Sequence, residues 1–168
     1  MTSNNHMIHL ETERATFNLR VVGVFIDSNH VLIHRAEPDK LWTPPGGRAE
    51  LGESTREALA REMLEELKVE VEVGRLLWVV EYFYEMQGRP FQEVAFYYQA
   101  HLPGGCGISP DVPVFYGDDF GLPLIFRWVR VDGLVDELEG LPLYPSFLRT
   151  GLSQLPETPQ HVIMREED

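Results

Sequence analysis

Apolar and polar positions along the chain change period several times, and each change predicts an element. The run Arg20-Val21-Val22-Gly23-Val24-Phe25-Ile26 is rich in β-branched residues, which favour a pleated, half-buried surface and predict a strand. Asp27-Ser28-Asn29-His30 has turn chemistry, and Val31-Leu32-Ile33-His34-Arg35 predicts the returning strand of a hairpin. A polar loop follows over 36–40. Leu41-Trp42-Thr43 is a short extended piece, and Pro44-Pro45-Gly46-Gly47 is expected to break regular structure. The pattern then turns helical over 54–68. Wound at about 100° per residue, Leu59, Ala60, Met63, Leu64 and Leu67 share one apolar arc. Ser54, with Glu57 three residues later, is a capping-box pattern that marks the helix start.

Strand patterns resume over 69–73 and 75–84, turn over 85–90, and return through an aromatic-rich strand over 91–102. Residues 103–121 are predicted as a long loop, rich in Gly, Pro and Asp, that helps shape a pocket. A strand over 124–131, a short helix over 132–138, a final helix over 144–155 and a last strand over 161–165 complete the reading. Pro145 sits near the start of that final helix, where proline is tolerated. Residues 1–13 form a loose, polar, flexible end, and 14–168 a single domain. Strand hairpins interleaved with helices give an α/β sandwich with a mixed β-sheet.

Composition narrows the class without changing this picture. Hydrophobic residues make up 43% and charged residues 24%, near the average for globular domains. No apolar run approaches the roughly 18 residues of a membrane helix, so no membrane partner is expected. The first residues carry no basic, apolar secretory pattern, and Cys106 is the single cysteine; a cytoplasmic protein is expected. The formal charge of −13 repels nucleic-acid backbones, which excludes a nucleic-acid polymer as the expected partner. A small polyphosphate would be repelled too, unless a bound divalent metal reversed the local field.

The helix carries a second pattern. Glu62, Glu65 and Glu66 stand at i, i+3 and i+4, so they project to one side, expected to lie opposite the apolar arc. Like charges at this spacing cost a few tenths of a kcal/mol per pair, and a cation between them turns the cost into a gain. Oxygen ligands of this kind select Mg²⁺, Mn²⁺ or Ca²⁺ over Zn²⁺. Three glutamates alone are more simply a solvated acidic face. The flanks change that reading. Gly47 is followed after five residues by Glu53, then after seven by Arg61-Glu62, then by apolar Met63, Glu65-Glu66 and apolar Val69. This resembles the signature of the Nudix hydrolases at every fixed position except one, where Lys68 replaces the family's glycine.

The resemblance covers roughly 19–155 and implies a Nudix-type α/β/α sandwich. It also implies a Mg²⁺- (or Mn²⁺-) dependent pyrophosphohydrolase that splits a phosphoanhydride bond of a small nucleoside diphosphate-linked substrate with metal-activated water. Nucleoside triphosphates, nucleotide sugars and dinucleoside polyphosphates are the candidates. The alternative is a non-catalytic Nudix-like sensor that only binds nucleotide. The resemblance makes Glu62, Glu65, Glu66 and the carbonyl of Gly47 the metal ligands, one glutamate serving instead as the base. Arg61 pairs with Glu53 to fix the loop on the helix. Arg35, Trp42 and Glu93 are candidate substrate-binding residues, Glu93 and Glu50 being possible further metal or base glutamates. Tyr82, Phe83 and Tyr84 could stack on a base, although strand aromatics are more often core. A monomer or homodimer is expected.

Overall fold

The computed structural model describes residues 6–132 and 142–166. Strands β2 (Thr16–Asp27) and β3 (His30–Ala36) form the predicted hairpin. Its two-residue turn places Ser28 and Asn29 at positive φ, 49° and 61°, a turn whose twist matches that of the strands it joins. Only Ile26↔Val31 and Asp27↔His30 pair across the hairpin. Beyond them the strands part. Strand β4 (Gly46–Arg48) pairs antiparallel with β2, while His34 and Thr43 exchange backbone hydrogen bonds of 2.7 and 3.0 Å. The Pro-Gly run therefore ends in a strand rather than only breaking structure. Gly46 permits this, since a Cβ there would stand 2.1 Å from the carbonyl oxygen of Val21.

Helix α1 (Thr55–Leu67) has both ends where the sequence puts them. The Ser54 side chain accepts from the Glu57 N–H, and the Glu57 carboxylate accepts from the Ser54 N–H. Lys68 closes the helix in the left-handed region. Its buried face is Ala58, Leu59, Met63 and Leu67, together with Glu62 and Glu66. Leu64 is 47% exposed, so the expected apolar arc is narrower on that flank.

The strands predicted over 69–73 and 75–84 are one strand, β5 (Glu72–Met86), whose register shifts between Val73 and Trp78. Gln87-Gly88 turns it into β6 (Arg89–His101). The loop expected over 103–121 contains a strand, β7 (Val114–Asp119), which pairs with β8 (Leu122–Arg130). The predicted final helix shrinks to α2 (Leu148–Gly151), followed by β9 (Gln160–Arg165). The helix predicted over 132–138 lies, from residue 133, outside the described residues. Within the stretch read as a loose end, β1 (His9–Glu11) pairs with β2.

The strands run in the order β7-β8-β3-β2-β6-β5-β9, with β1 and β4 also paired to β2. The β2–β6 and β5–β9 pairs are parallel and the others antiparallel, so the sheet is mixed, as expected. Alternate residues feed two cores. Val21, Phe25 and Leu32 pack with Leu59 and Met63 of α1, and Val22, Val24 and Ile33 pack with Leu148 and Leu152 at α2. Each such buried side chain contributes roughly 2 kcal/mol by leaving water. No described helix is long and apolar enough to cross a membrane.

Candidate active site

Packing of α1 against β4 and β7 brings its acidic residues inward. Glu62 and Glu66, one helical turn apart, are each 5% exposed and flank the apolar residues instead of lying opposite them. Glu62 fills the space beside Gly47. Glu65 is one-third exposed and lines the same cleft as Glu62 and Glu66.

Arg61 organises this end of the site. Its Nε and Nη2 donate to Glu53 Oε2 and Oε1 at 3.0 and 2.7 Å. Nη2 also donates to the Arg48 carbonyl at 3.1 Å, and Nη1 to Glu62 Oε1 at 2.8 Å and to Glu65 Oε2 at 3.4 Å. Glu50 stands farther off, at 3.9 Å. The forked donor matches a carboxylate in two parallel bonds, which sets the loop at 47–53 against the helix. The hydrogen bonds from Arg61 hold the Glu53 carboxyl below its ordinary range.

Deeper in, the balance reverses. Burial raises the Glu62 carboxyl above its ordinary range, in spite of Arg61. Burial, then the Glu62 charge, pushes Glu66 up to about 8. Glu66 Oε2 is buried with no hydrogen-bond partner among the described residues. His34 Nδ1 lies 3.5 Å away, without hydrogen-bonding alignment. Burial, and then the Arg20 charge, lowers His34 to about 3, so its ring is neutral at pH 7 and offers Glu66 no charge.

These groups stand in a cleft of about 360 Å³, with Arg20, Arg35 and Arg48 along it. Arg35 was expected near the box loop and does line the cleft; its Nη1 is tied to the carbonyls of Ala36, Glu37 and Asp39. Glu93 also reaches the cleft, 8% exposed, accepting from the Tyr84 hydroxyl at 3.2 Å. Tyr82 and Tyr84 line it; Phe83, on the other face of β5, lies under Arg165 instead. Trp42 is corrected. It is 4% exposed and absent from the cleft wall, because backbone bonds to Pro142 and Tyr144 draw it into the core, with Arg35 over its ring.

The sequence reading missed Arg20, His34 and Asp119. Arg20 and His34 had a signal, each being a charged or polar residue inside an otherwise apolar strand run. Asp119 had none, since it reaches the cleft only through the β7–β8 hairpin. Of the long loop, only the hairpin tip lines this cleft; 103–109 line a separate cavity of about 510 Å³.

Among the described residues, no three His, Cys, Asp or Glu side chains converge as they stand on one metal position. As they stand, Glu62 Oε1 and Glu65 Oε2 both accept from Arg61 Nη1. The chemistry of the donors nonetheless fits a hard dication. All are carboxylates, and Glu66 Oε2 is buried with no hydrogen-bond partner among the described residues, the Arg20 charge acting on it without a hydrogen bond.

The family described as NUDIX domain matches residues 17–143. YjhB of Bacillus subtilis (strain 168), whose provisional name is ADP-ribose pyrophosphatase, is 29% identical over 108 residues, which are 62% of this chain and 52% of that protein. The match thus spans about half the length of the curated relative. A MutT protein from Bacillus halodurans superposes with a TM-score of 0.58 at 18% identity, covering 89% of this chain and 90% of the other. A MutT protein from Methanosarcina mazei Go1 gives a TM-score of 0.55 at 18% identity, covering 86% and 95%. At such identities the two structures show likeness of fold.

Proposed function

This chain belongs to the Nudix family, and from that premise we propose that it is a Mg²⁺- (or Mn²⁺-) dependent pyrophosphohydrolase acting on a small nucleoside diphosphate-linked substrate. The observation that carries the reading is Glu66: a buried carboxylate whose Oε2 has no hydrogen-bond partner among the described residues, beside Glu62, in a cleft with three arginines. Glu62, Glu65, Glu66 and the Gly47 carbonyl would hold the dication. When bound it neutralises phosphate oxygens and lowers the pKa of the attacking water. Arg20, Arg35 and Arg48 supply positive charge for the remaining phosphate oxygens, against a chain whose formal charge is −13. Arg61 and Glu53 fix the loop at 47–53 on α1, so that Gly47 and Glu62 keep their spacing. One box glutamate takes the proton from water. Glu93, held by Tyr84, is a further substrate-side carboxylate. The reading includes action in the cytoplasm, as a monomer or homodimer, with no nucleic-acid polymer or membrane as partner.

A substrate panel of nucleoside triphosphates, nucleotide sugars and dinucleoside polyphosphates, with Mg²⁺ and product identification, tests it. ADP-ribose heads the panel because it is in the name of the Bacillus subtilis relative. Turnover that falls about 10²-fold or more in Glu66→Gln is expected. Nucleotide binding with no turnover across the panel would favour the sensor instead.

A further inference from the structure

Three hairpins close through two-residue turns with both residues at positive φ: Ser28-Asn29, Gln87-Gly88 and Phe120-Gly121. Such turns favour Asn, Asp and Gly, and a bulky residue at positive φ is an outlier. Phe120, at φ 46°, is the one aromatic among the six. The conformation is held from outside the ring, where Asp118 Oδ2 accepts from the Gly121 N–H at 2.6 Å. Nothing in the packing accounts for a phenyl group here. It is 88% exposed, and its ring makes no contact with another ring among the described residues. Strained backbone in a folded protein concentrates at functional positions.

The place of the ring supplies a function. Phe120 and Asp119 line the same cleft as Glu62 and Glu66. The cleft's tyrosines on the sheet are Tyr82 and Tyr84 of β5 and Tyr97 of β6, all beyond β3 and β2 in the sheet order. Their rings are committed. Tyr82 and Tyr84 pack on each other at 4.7 Å, Tyr84 stacks on Phe91 at 5.2 Å, and their hydroxyls are bonded to Glu166 and Glu93; Tyr97 is 3% exposed and meets Trp78 edge-on at 6.2 Å. Tyr144, half-buried at the cleft, carries Arg149 over its ring, and Phe120 is the most exposed aromatic residue lining the cleft among the described residues. We infer that Phe120 stacks on the heterocyclic base of the substrate while the phosphoanhydride lies at Glu62 and Glu66; this rests on the hydrolase reading. Because every base has a π-face, the contact favours substrates that carry a base over those that lack one, without choosing among bases.

Titration calorimetry with AMP and with ribose 5-phosphate, in Mg²⁺, tests the inference on the full chain. The wild type binds AMP more tightly than ribose 5-phosphate. Phe120→Ala weakens AMP about 5- to 100-fold, the range of one lost base stack, and leaves ribose 5-phosphate unchanged. Phe120→Trp restores the AMP preference. Phe120→Asn suits the turn better, so it raises the melting temperature while losing the same preference, which a purely structural role would not produce. Equal binding of the two probes by the wild type, or an AMP preference that survives in Phe120→Ala, overturns the inference. Absence of turnover with intact AMP binding sinks the hydrolase reading and leaves the stacking result standing.

Discussion

Glu62 occupies the space that a side chain at position 47 would need. A Cβ on Gly47 would stand 2.1 Å from Glu62 Oε2 and 2.6 Å from Oε1. Gly47 is not among the positive-φ glycines, so the helix carboxylate demands glycine there, and the backbone conformation does not. The loop and the helix are thereby locked together here, and the lock is reinforced by Arg61, which holds Glu62 Oε1 at 2.8 Å and Glu53 on the loop side.

Gly47→Ala is therefore expected to push the Glu62 carboxylate off its seat while leaving the fold in place, since the atoms it meets are the end of one side chain. kcat/KM on the best substrate of the panel should fall about 10- to 100-fold, the usual effect of misplacing a metal-site group. The circular dichroism spectrum should be unchanged. Wild-type kcat/KM in this variant would show that the position of Glu62 does not matter to the reaction.

The buried carboxylates also set a pH dependence. In the cation-free protein, burial and then Glu62 raise Glu66 from 4.5 to about 8. The folded state thus holds more protons than the unfolded chain between those values, and stability falls as pH rises through that window. Glu62, raised as well, acts with the same sign. His34, lowered from 6.5 to about 3 by burial and then by Arg20, acts the other way: its contribution is present above 6.5 and is lost as pH falls toward 3. From about pH 6.5 to about 8 the carboxylates dominate. In EDTA the melting temperature should decline across that interval, and Glu66→Gln should remove most of the decline. Mg²⁺ should raise the wild-type curve, because a ligand that binds only the folded state stabilises it. Parallel curves for wild type and Glu66→Gln in EDTA would contradict the assignment.

Local signals carried far in this chain. The capping box at Ser54 and Glu57 and the end at Lys68 locate α1 from sequence because caps are made by neighbours a few residues apart. The spacing from Gly47 to Glu66 marked the candidate site for the same reason. What failed was set by distant partners. A hydrophobicity pattern turns charged residues outward, so it could not show that Glu62 and Glu66 face in, where Gly47 leaves room and Arg61 answers one of them. The Pro-Gly signal at 44–47 was sound locally, yet pairing with β2 made Gly46–Arg48 a strand. Strand β7 hid among Gly and Pro residues, and with it the route by which Asp119 and Phe120 enter the cleft.

Lys68, the one departure from the family signature, offers the last test. It caps α1 at φ 59° and ψ 26°, in the region where an L side chain costs about 1 kcal/mol and glycine costs little. Its ammonium group compensates in part by donating to the Glu65 carbonyl at the helix end. Two substitutions separate the terms. Lys68→Gly relieves the backbone but loses the ammonium and stiffens nothing in the unfolded chain, for a net gain of roughly 0.5 kcal/mol. Lys68→Ala keeps the strained φ and loses the ammonium, so it should destabilise. Urea midpoints with unchanged m-values would read both signs. Lys68 does not line the cleft, so kcat/KM should match the wild type in both variants. A destabilised Lys68→Gly would mean that the lysine contact with Glu65, and not backbone strain, governs the end of the carboxylate helix.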